Sequence, residues 1–322
     1  MSALRNPFFW VLLVVVGGIG LLPILNGADG MREDFFLILM LVTLASSINM
    51  IMGYTGYVSF GHIVFFGLGG YVAFYLMLNH QVHFVPAALA GGIASGLLAF
   101  LLGIPVLRLR GAYFALATIG INEVVRSFIN NFEPFGGAIG MFFNYDVYNG
   151  YGGARNALWF AYYAVLVVTL ACIATSFLVK KSKFGLGLMA IREDQDASQV
   201  LGIEPARSKV IVYTISAFFP GLAGAAFFFK NGIIEPGPAF DLLRSIEALV
   251  MVMLGGYGTV AGPIVGAVVY ERLRAFLITN PTFSSLHLFI AGFLLLLIVL
   301  FVSAGLVGWL RQRAPQLRRY VE

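Results

Sequence analysis

Charge is scarce in this chain of 322 residues: only 11% are Asp, Glu, Lys or Arg. Soluble domains carry about a quarter, so a soluble globular protein is excluded. Cysteine is nearly missing as well. Cys172 stands alone within an apolar run, so no internal disulfide is possible and it reads as a small buried hydrophobe. No Gly-x-x-x-x-Gly-Lys-[Ser/Thr] loop occurs, which excludes ATP binding by the phosphate-loop route. No His-Glu-x-x-His run and no Gly-x-Ser-x-Gly elbow is present either, so zinc-protease and serine-hydrolase chemistry find no support. His80 and His83 lie three apart without another Cys, His or carboxylate nearby, and no metal site is expected there.

What is abundant is apolar surface. Hydrophobic residues make up 60% of the chain and the mean hydropathy is +0.90. Several runs reach the roughly 20 residues that a helix needs to cross the hydrocarbon core. A β-barrel would show short alternating segments instead. The chain therefore reads as all-α, a polytopic transmembrane helical bundle and a single domain over 1–322. Spans are expected near 8–25, 35–52, 58–78, 84–107, 113–130, 157–179, 209–230 and 285–308. The first is long for a signal peptide and lacks a small-x-small site before Asn26, so it reads as a retained helix. A ninth apolar segment, 246–278, is interrupted at Gly255-Gly256-Tyr257-Gly258 and again at Gly262-Pro263. Its two pieces are short for ordinary crossings, which predicts a re-entrant hairpin.

The net charge of +5 comes from Lys and Arg beside the spans, so it speaks to topology and not to nucleic acid. Positive residues favour the cytoplasm. Arg5, the Arg108/Arg110 pair, the 180–209 loop and the tail with Arg311, Arg313, Arg318 and Arg319 are then all inside, and both termini are cytoplasmic. Eight crossings plus a hairpin that enters from outside satisfy this, with Arg272 and Arg274 as outside exceptions. The segment 131–156 becomes the largest external loop.

Most of the remaining information lies in Lys180–Lys209. Of 20 basic and 15 acidic residues in the chain, ten fall in this tenth of it: Lys180, Lys181, Lys183, Arg192, Glu193, Asp194, Asp196, Glu204, Arg207 and Lys209. Glu193, Asp194 and Asp196 suit the first turn of a short helix, where acidic groups meet the positive end of its dipole. Gly202 fits a C-terminal cap and Pro205 stops continuation. Ala197, Val200 and Leu201 can then form a small apolar face. Two readings fit that face: an interfacial helix resting on membrane lipid, or a helix that docks a cytosolic subunit. The acidic cluster argues mildly against an anionic lipid surface.

Two glycine-rich breaks are the other candidates. One is Gly53-Tyr54-Thr55-Gly56-Tyr57-Val58-Ser59-Phe60-Gly61-His62 and the other is Leu254-Gly255-Gly256-Tyr257-Gly258-Thr259-Val260-Ala261-Gly262-Pro263. Irregular backbone at membrane depth persists only where protein or a water-filled cavity satisfies it. Broken segments in corresponding halves point to an internal repeat around a central pathway; close helix packing through small residues explains them equally. Among the few ionisable residues within spans, Glu123 and Arg126 lie three apart and can pair on one helical face. His62, Glu247 and the group Glu271, Arg272, Arg274 complete that set.

Taken in order, these residues resemble a known family. Ser47-Ile48-Asn49 through Gly53-Tyr54-Thr55-Gly56 to Ser59 and Gly61-His62 is similar to the signature stretch of the branched-chain amino-acid ABC-importer permeases. So are Arg108-Leu109-Arg110-Gly111-Ala112-Tyr113-Phe114-Ala115 and Phe184-Gly185-Leu186-Gly187-Leu188-Met189-Ala190-Ile191-Arg192-Glu193-Asp194. Ala197, Leu201-Gly202-Ile203, Phe218 with Gly221-Leu222-Ala223-Gly224, and Arg244-Ser245-Ile246-Glu247 on to Gly255, Gly256, Gly258 and Gly262-Pro263 continue it. The resemblance spans roughly residues 35–305. The aromatic stretch Phe142–Tyr151 departs from the pattern.

The resemblance implies a permease subunit in the inner membrane, and not an enzyme. It implies import of branched-chain or other neutral amino acids, with a sister permease, two ABC ATPases and a periplasmic solute-binding protein as partners. ATP and Mg would be bound by the ATPases, and this chain would bind no cofactor. It also implies that Gly187, Met189, Ala190, Ile191, Arg192, Glu193, Asp194, Ala197, Leu201 and Gly202 form the coupling segment that fits a groove on an ATPase. Pathway or gating roles fall to the two breaks, with Asn49 and Glu247. The competing expectations are an importer of urea or short amides, and a stand-alone carrier or channel in which Glu123 is essential and the 186–203 loop dispensable.

Overall fold

In hydrocarbon a backbone must satisfy its own hydrogen bonds, and continuous apolar runs therefore fold as helices. The computed structural model describes residues 7–26, 29–144, 146–279, 292 and 305–313. Helix α1 is Pro7–Asn26, α2 Asp29–Thr55, α3 Ile63–His80, α4 Phe84–Val106, α5 Ala112–Asn130 and α6 Ala154–Lys181. Two short charged helices follow, α7 Lys183–Glu193 and α8 Gln195–Val200, then α9 Pro205–Asn231. Finally come α10 Leu242–Gly255, α11 Ala261–Thr279 and α12 Gly305–Arg313.

Among the described residues, six helices are long and apolar enough to cross a membrane: α2, α3 with its preceding turn from Phe60, α4, α5, α6 and α9. Each lies within a few residues of a sequence-predicted span. The apolar part of α1 is shorter, Trp10–Pro23. The expected span at 285–308 lies outside the described residues apart from 292 and the start of α12.

Helix α2 is the axis of the bundle, buried almost without interruption from Ile38 to Thr55. Polar side chains lock it to α6: Thr43 Oγ1 lies 2.9 Å from Thr169 Oγ1, and the Tyr54 hydroxyl lies 2.7 Å from Ser176 Oγ. Helices α3, α4 and α9 are held by backbone proximity. A Cβ on Gly69 would sit 2.3 Å from Gly221 Cα, and one on Gly91 would sit 2.3 Å from the Gly69 carbonyl. This is small-residue packing, which lets dispersion act between backbones where lipid offers no hydrophobic drive.

The chain's two ends of the bundle differ. At one end, Met141–Phe142 (β1) pairs antiparallel with Ile233–Ile234 (β2), and Phe143 stacks on Phe74 with centroids 3.7 Å apart. Tyr148 donates to the Phe229 carbonyl at 2.8 Å. The 131–156 segment is thus a folded aromatic cover. Arg32, buried beside Asp29 and Glu33, and Lys230, paired with Glu33, fasten the helix ends there. The charged helices α7 and α8 occupy the opposite end.

The segment expected as a hairpin does fold back on itself. Helices α10 and α11 run antiparallel, close enough that a Cβ on Gly255 would overlap the Gly262 carbonyl and one on Gly266 the Met251 carbonyl. Tyr270 faces Glu247 across the pair. The hairpin turn, residues 256–260, lies at the charged-loop end, and α12 closes on it where Gly305 meets Gly256.

Candidate functional site at the junction of the charged loop

The loop between α6 and α9 is two helices and not one. Ser182 caps α7 by accepting from Gly185 N at 3.0 Å. Asp194 ends α7 with extended backbone and caps α8, its Oδ1 accepting from Asp196 N at 2.8 Å and Ala197 N at 3.0 Å. Glu193 therefore closes the first helix instead of opening the second, because Asp194 takes the capping position. Gly202, with φ +81°, terminates α8 as expected, and Pro205 is the first residue of α9.

The faces of this pair also differ from expectation. Ile191 turns inward and is 3% exposed, whereas Val200 and Leu201 are 88% and 77% exposed and Ala197 is exposed beside them. Leu188 and Ile191 pack with Tyr54 and Val212 in the core. Gly187 lies against Ile203, and Met189 and Ala190 are half-buried. An apolar corner presented outward at the end of α8 is the surface left for a partner.

From that corner, side chains reach back to the two glycine-rich breaks. Arg192 donates from Nη1 to the Gly53 carbonyl at 2.9 Å, and from Nη2 to Glu193 at 2.8 Å. The same guanidinium lies against Gly258, where a Cβ would be 2.9 Å from Nη1. Asn49 joins the breaks directly. Its Nδ2 donates to the Thr259 carbonyl at 2.8 Å, and its Oδ1 accepts from Gly258 N at 2.9 Å. Gly53 must lack a side chain, since a Cβ would stand 2.5 Å from Gly258 N. Thr259 Oγ1 accepts from Gly262 N and donates to the Gly256 carbonyl, both at 2.9 Å, which shapes the turn before Pro263.

A second set of links ties α8 to the segment between α2 and α3 and to the loop that follows α4. Lys209 was counted with the loop charges but lies inside α9, fully buried. Its Nζ donates to the Leu107 carbonyl at 2.7 Å, the Tyr57 hydroxyl at 2.8 Å and Gln195 Oε1 at 3.2 Å. Three acceptors from three segments compensate the burial of its charge. The ammonium also lies 4.2 Å from the Tyr57 ring centre, within cation–π range. Burial raises the Tyr57 phenol above its ordinary value. Arg110 grips Asp196 with both guanidinium nitrogens, at 2.8 and 3.1 Å. That hydrogen-bonded contact raises the Arg110 pKa and lowers the Asp196 carboxyl.

Other predicted residues fall outside this junction. Tyr54 points to α6, and Thr55 bonds back to the Ile51 carbonyl at 2.6 Å. Gly56, with φ +78°, ends α2 beside the Arg192 stem. Gly61 packs on the Thr118 carbonyl. His62 is buried between Phe65 and Tyr213, with Ser59 Oγ 3.5 Å from its Nδ1. Glu247 lies farther up the hairpin, against Tyr270. The breaks meet near the loop end of the bundle rather than at mid-span, because α2 runs helical to Thr55. Sequence reasoning had Tyr57 and Thr259 within the breaks and Lys209 among the loop charges but did not connect them, and it did not single out Gln195. A lysine four residues into an apolar helix was the available signal.

Residues 34–299 match a protein family described as the permease component of the branched-chain amino acid transport system. The chain belongs to this family. The permease is 30% identical over 303 residues to the high-affinity branched-chain amino acid transport system permease protein LivM of Salmonella typhimurium, covering 86% of this chain and 69% of that protein. It is 29% identical to LivM of Escherichia coli, covering 98% and 78%. The permease protein LivH of Escherichia coli is 23% identical over 82% of this chain and 90% of its own length. No solved structure matches the chain. Family and helices together make it a multi-pass transport permease of the inner membrane and not an enzyme.

Proposed function

We propose that this permease moves branched-chain or other neutral amino acids inward as one subunit of a binding-protein-dependent ABC importer. Two ATPases carrying ATP and Mg, a sister permease and a periplasmic solute-binding protein complete the assembly. The substrate class follows the relatives named above, and the charged loop and both termini face the cytoplasm.

The observation that carries this reading is the set of links from the α7–α8 unit to both breaks. An outward apolar corner at Val200 and Leu201 sits on a two-helix unit. That unit holds Gly53 and Gly258 through Arg192, and Tyr57 through Gln195 and Lys209. An ATPase that displaces the corner displaces both breaks together. Nucleotide then shifts the permease between outward- and inward-open states only through its differential affinity for them.

The test is to purify the tagged chain gently from its native membrane, identify what accompanies it, and measure ATP-dependent leucine uptake in proteoliposomes. An ABC ATPase and a second permease are expected. Val200→Glu with Leu201→Glu should release the ATPase while the permease pair persists. Retention of the ATPase by that double variant, or a well-folded chain reproducibly alone, would sink the reading.

A further inference from the structure

Helix α5 has an outward face of unusual chemistry. Tyr113, Leu116, Gly120, Glu123 and Ser127 are exposed along one stripe, while Phe114, Thr118, Asn122 and Ile129 are buried behind it. Partway along that stripe Glu123 Oε2 faces Arg126 Nη1 at 3.7 Å, with side chains 69% and 41% exposed. Neither makes another ion pair among the described residues. Gly120 leaves open space in front of its Cα, with nothing within 4 Å of a built Cβ. Compare α4, whose exposed residues include Ile93, Leu97, Phe100, Leu101 and Ile104. That is a face for lipid.

Charges within a spanning helix are expensive toward lipid, and such residues turn to protein or to water-filled cavities and mark solute paths. The pair projects from the outward stripe, away from the buried Phe114, Thr118, Asn122 and Ile129, so the core of this chain does not require it. At 3.7 Å the two groups are longer than a charge-assisted hydrogen bond, so each keeps capacity for a ligand.

We propose that the Tyr113–Ser127 face of α5 lines the solute path, where Glu123 and Arg126 receive the two charges of a zwitterionic α-amino acid. Glu123 accepts from the ammonium and Arg126 donates to the carboxylate. Leu116, Val124 and Phe128 give an apolar surface beside them for an aliphatic side chain. This inference rests on the importer reading and adds a substrate contact to it.

The experiment uses the assembled transporter in proteoliposomes, with its ATPases, sister permease and binding protein. In a Cys172→Ala background, Gly120→Cys and Ser127→Cys are labelled with a membrane-impermeant methanethiosulfonate, and Leu97→Cys on α4 is the lipid-facing reference. The two α5 positions should react at least an order of magnitude faster than the reference, and leucine with ATP should slow them. Glu123→Gln and Arg126→Gln should each lose an order of magnitude or more of leucine uptake while all subunits still co-purify. Labelling as slow as at Leu97→Cys means that lipid or a second permease covers the face, and overturns the proposal. So does full uptake by the exchanged pair, Glu123→Arg with Arg126→Glu, since a structural staple tolerates the swap. A wild-type assembly that labels as expected but imports no amino acid would defeat the importer reading and the substrate contact, leaving an aqueous path of another solute.

Discussion

Replacing Asn49 with leucine isolates the link between the two breaks. The amide is fully buried and makes two hydrogen bonds to the hairpin turn, at 2.8 Å to Thr259 O and 2.9 Å from Gly258 N. Leucine is close to asparagine in size but offers neither donor nor acceptor. Gly258 N–H and Thr259 C=O are then left unpaired, each at about 1–3 kcal/mol. The turn should therefore detach from α2 more easily by about 2–6 kcal/mol, which is roughly 30-fold to roughly 20,000-fold in the docking equilibrium. Hydrogen exchange of the purified protein reads this directly: amides of 256–260 should exchange faster, together with a lower melting temperature. Thr43→Ala serves as the control. It removes the contact to Thr169 between α2 and α6, so it should cost about 1 kcal/mol without changing exchange at the turn. Unchanged exchange at 256–260 in Asn49→Leu would refute the claim that Asn49 holds the hairpin. Under the proposed function, uptake should fall with the loosened turn.

Lys209→Met keeps the apolar stem in place but removes the donor shared by Leu107, Tyr57 and Gln195. Loss of about 1–3 kcal/mol of stability is expected, with faster proteolysis of α8. An unaltered melting temperature and cleavage pattern would show that the three acceptors do not depend on the ammonium. Asp196 gives a pH test. Its folded pKa is lowered by Arg110, so the stabilisation from this pair is present above the unfolded carboxylate value, about 4, and is lost as pH falls through the folded one. Proteolysis of the 194–204 segment should accelerate in acid for the wild type and be less dependent on pH in Asp196→Asn. Identical pH profiles for the two would dismiss the pair as a clamp on α8.

Much of the architecture could be read from apolar run lengths, because a span needs no partner to declare itself. Helices α2 to α6 and α9 fall where hydropathy put them, and the glycines of 246–278 announced a hairpin. Caps were legible where one residue decides the backbone: Gly202 ends α8 as read. The reading failed where two residues competed for one role. Glu193, Asp194 and Asp196 all suit a helix start, and only folding shows that Asp194 is the cap and splits the loop into two helices. Ile191 and Leu201 look alike in sequence, yet one fills the core and the other projects.

By itself, then, the sequence determined that the chain is a helical membrane protein, where its charge concentrates and where its backbone breaks. These depend on the solvent preference of each residue and on local backbone freedom. Only the tertiary structure decided that the two breaks, about two hundred residues apart, share Asn49, and that Arg192 and Lys209 bind the charged loop to them. Those are contacts between distant segments, fixed by close packing of α2 against the hairpin and by the need of each buried polar group for a partner.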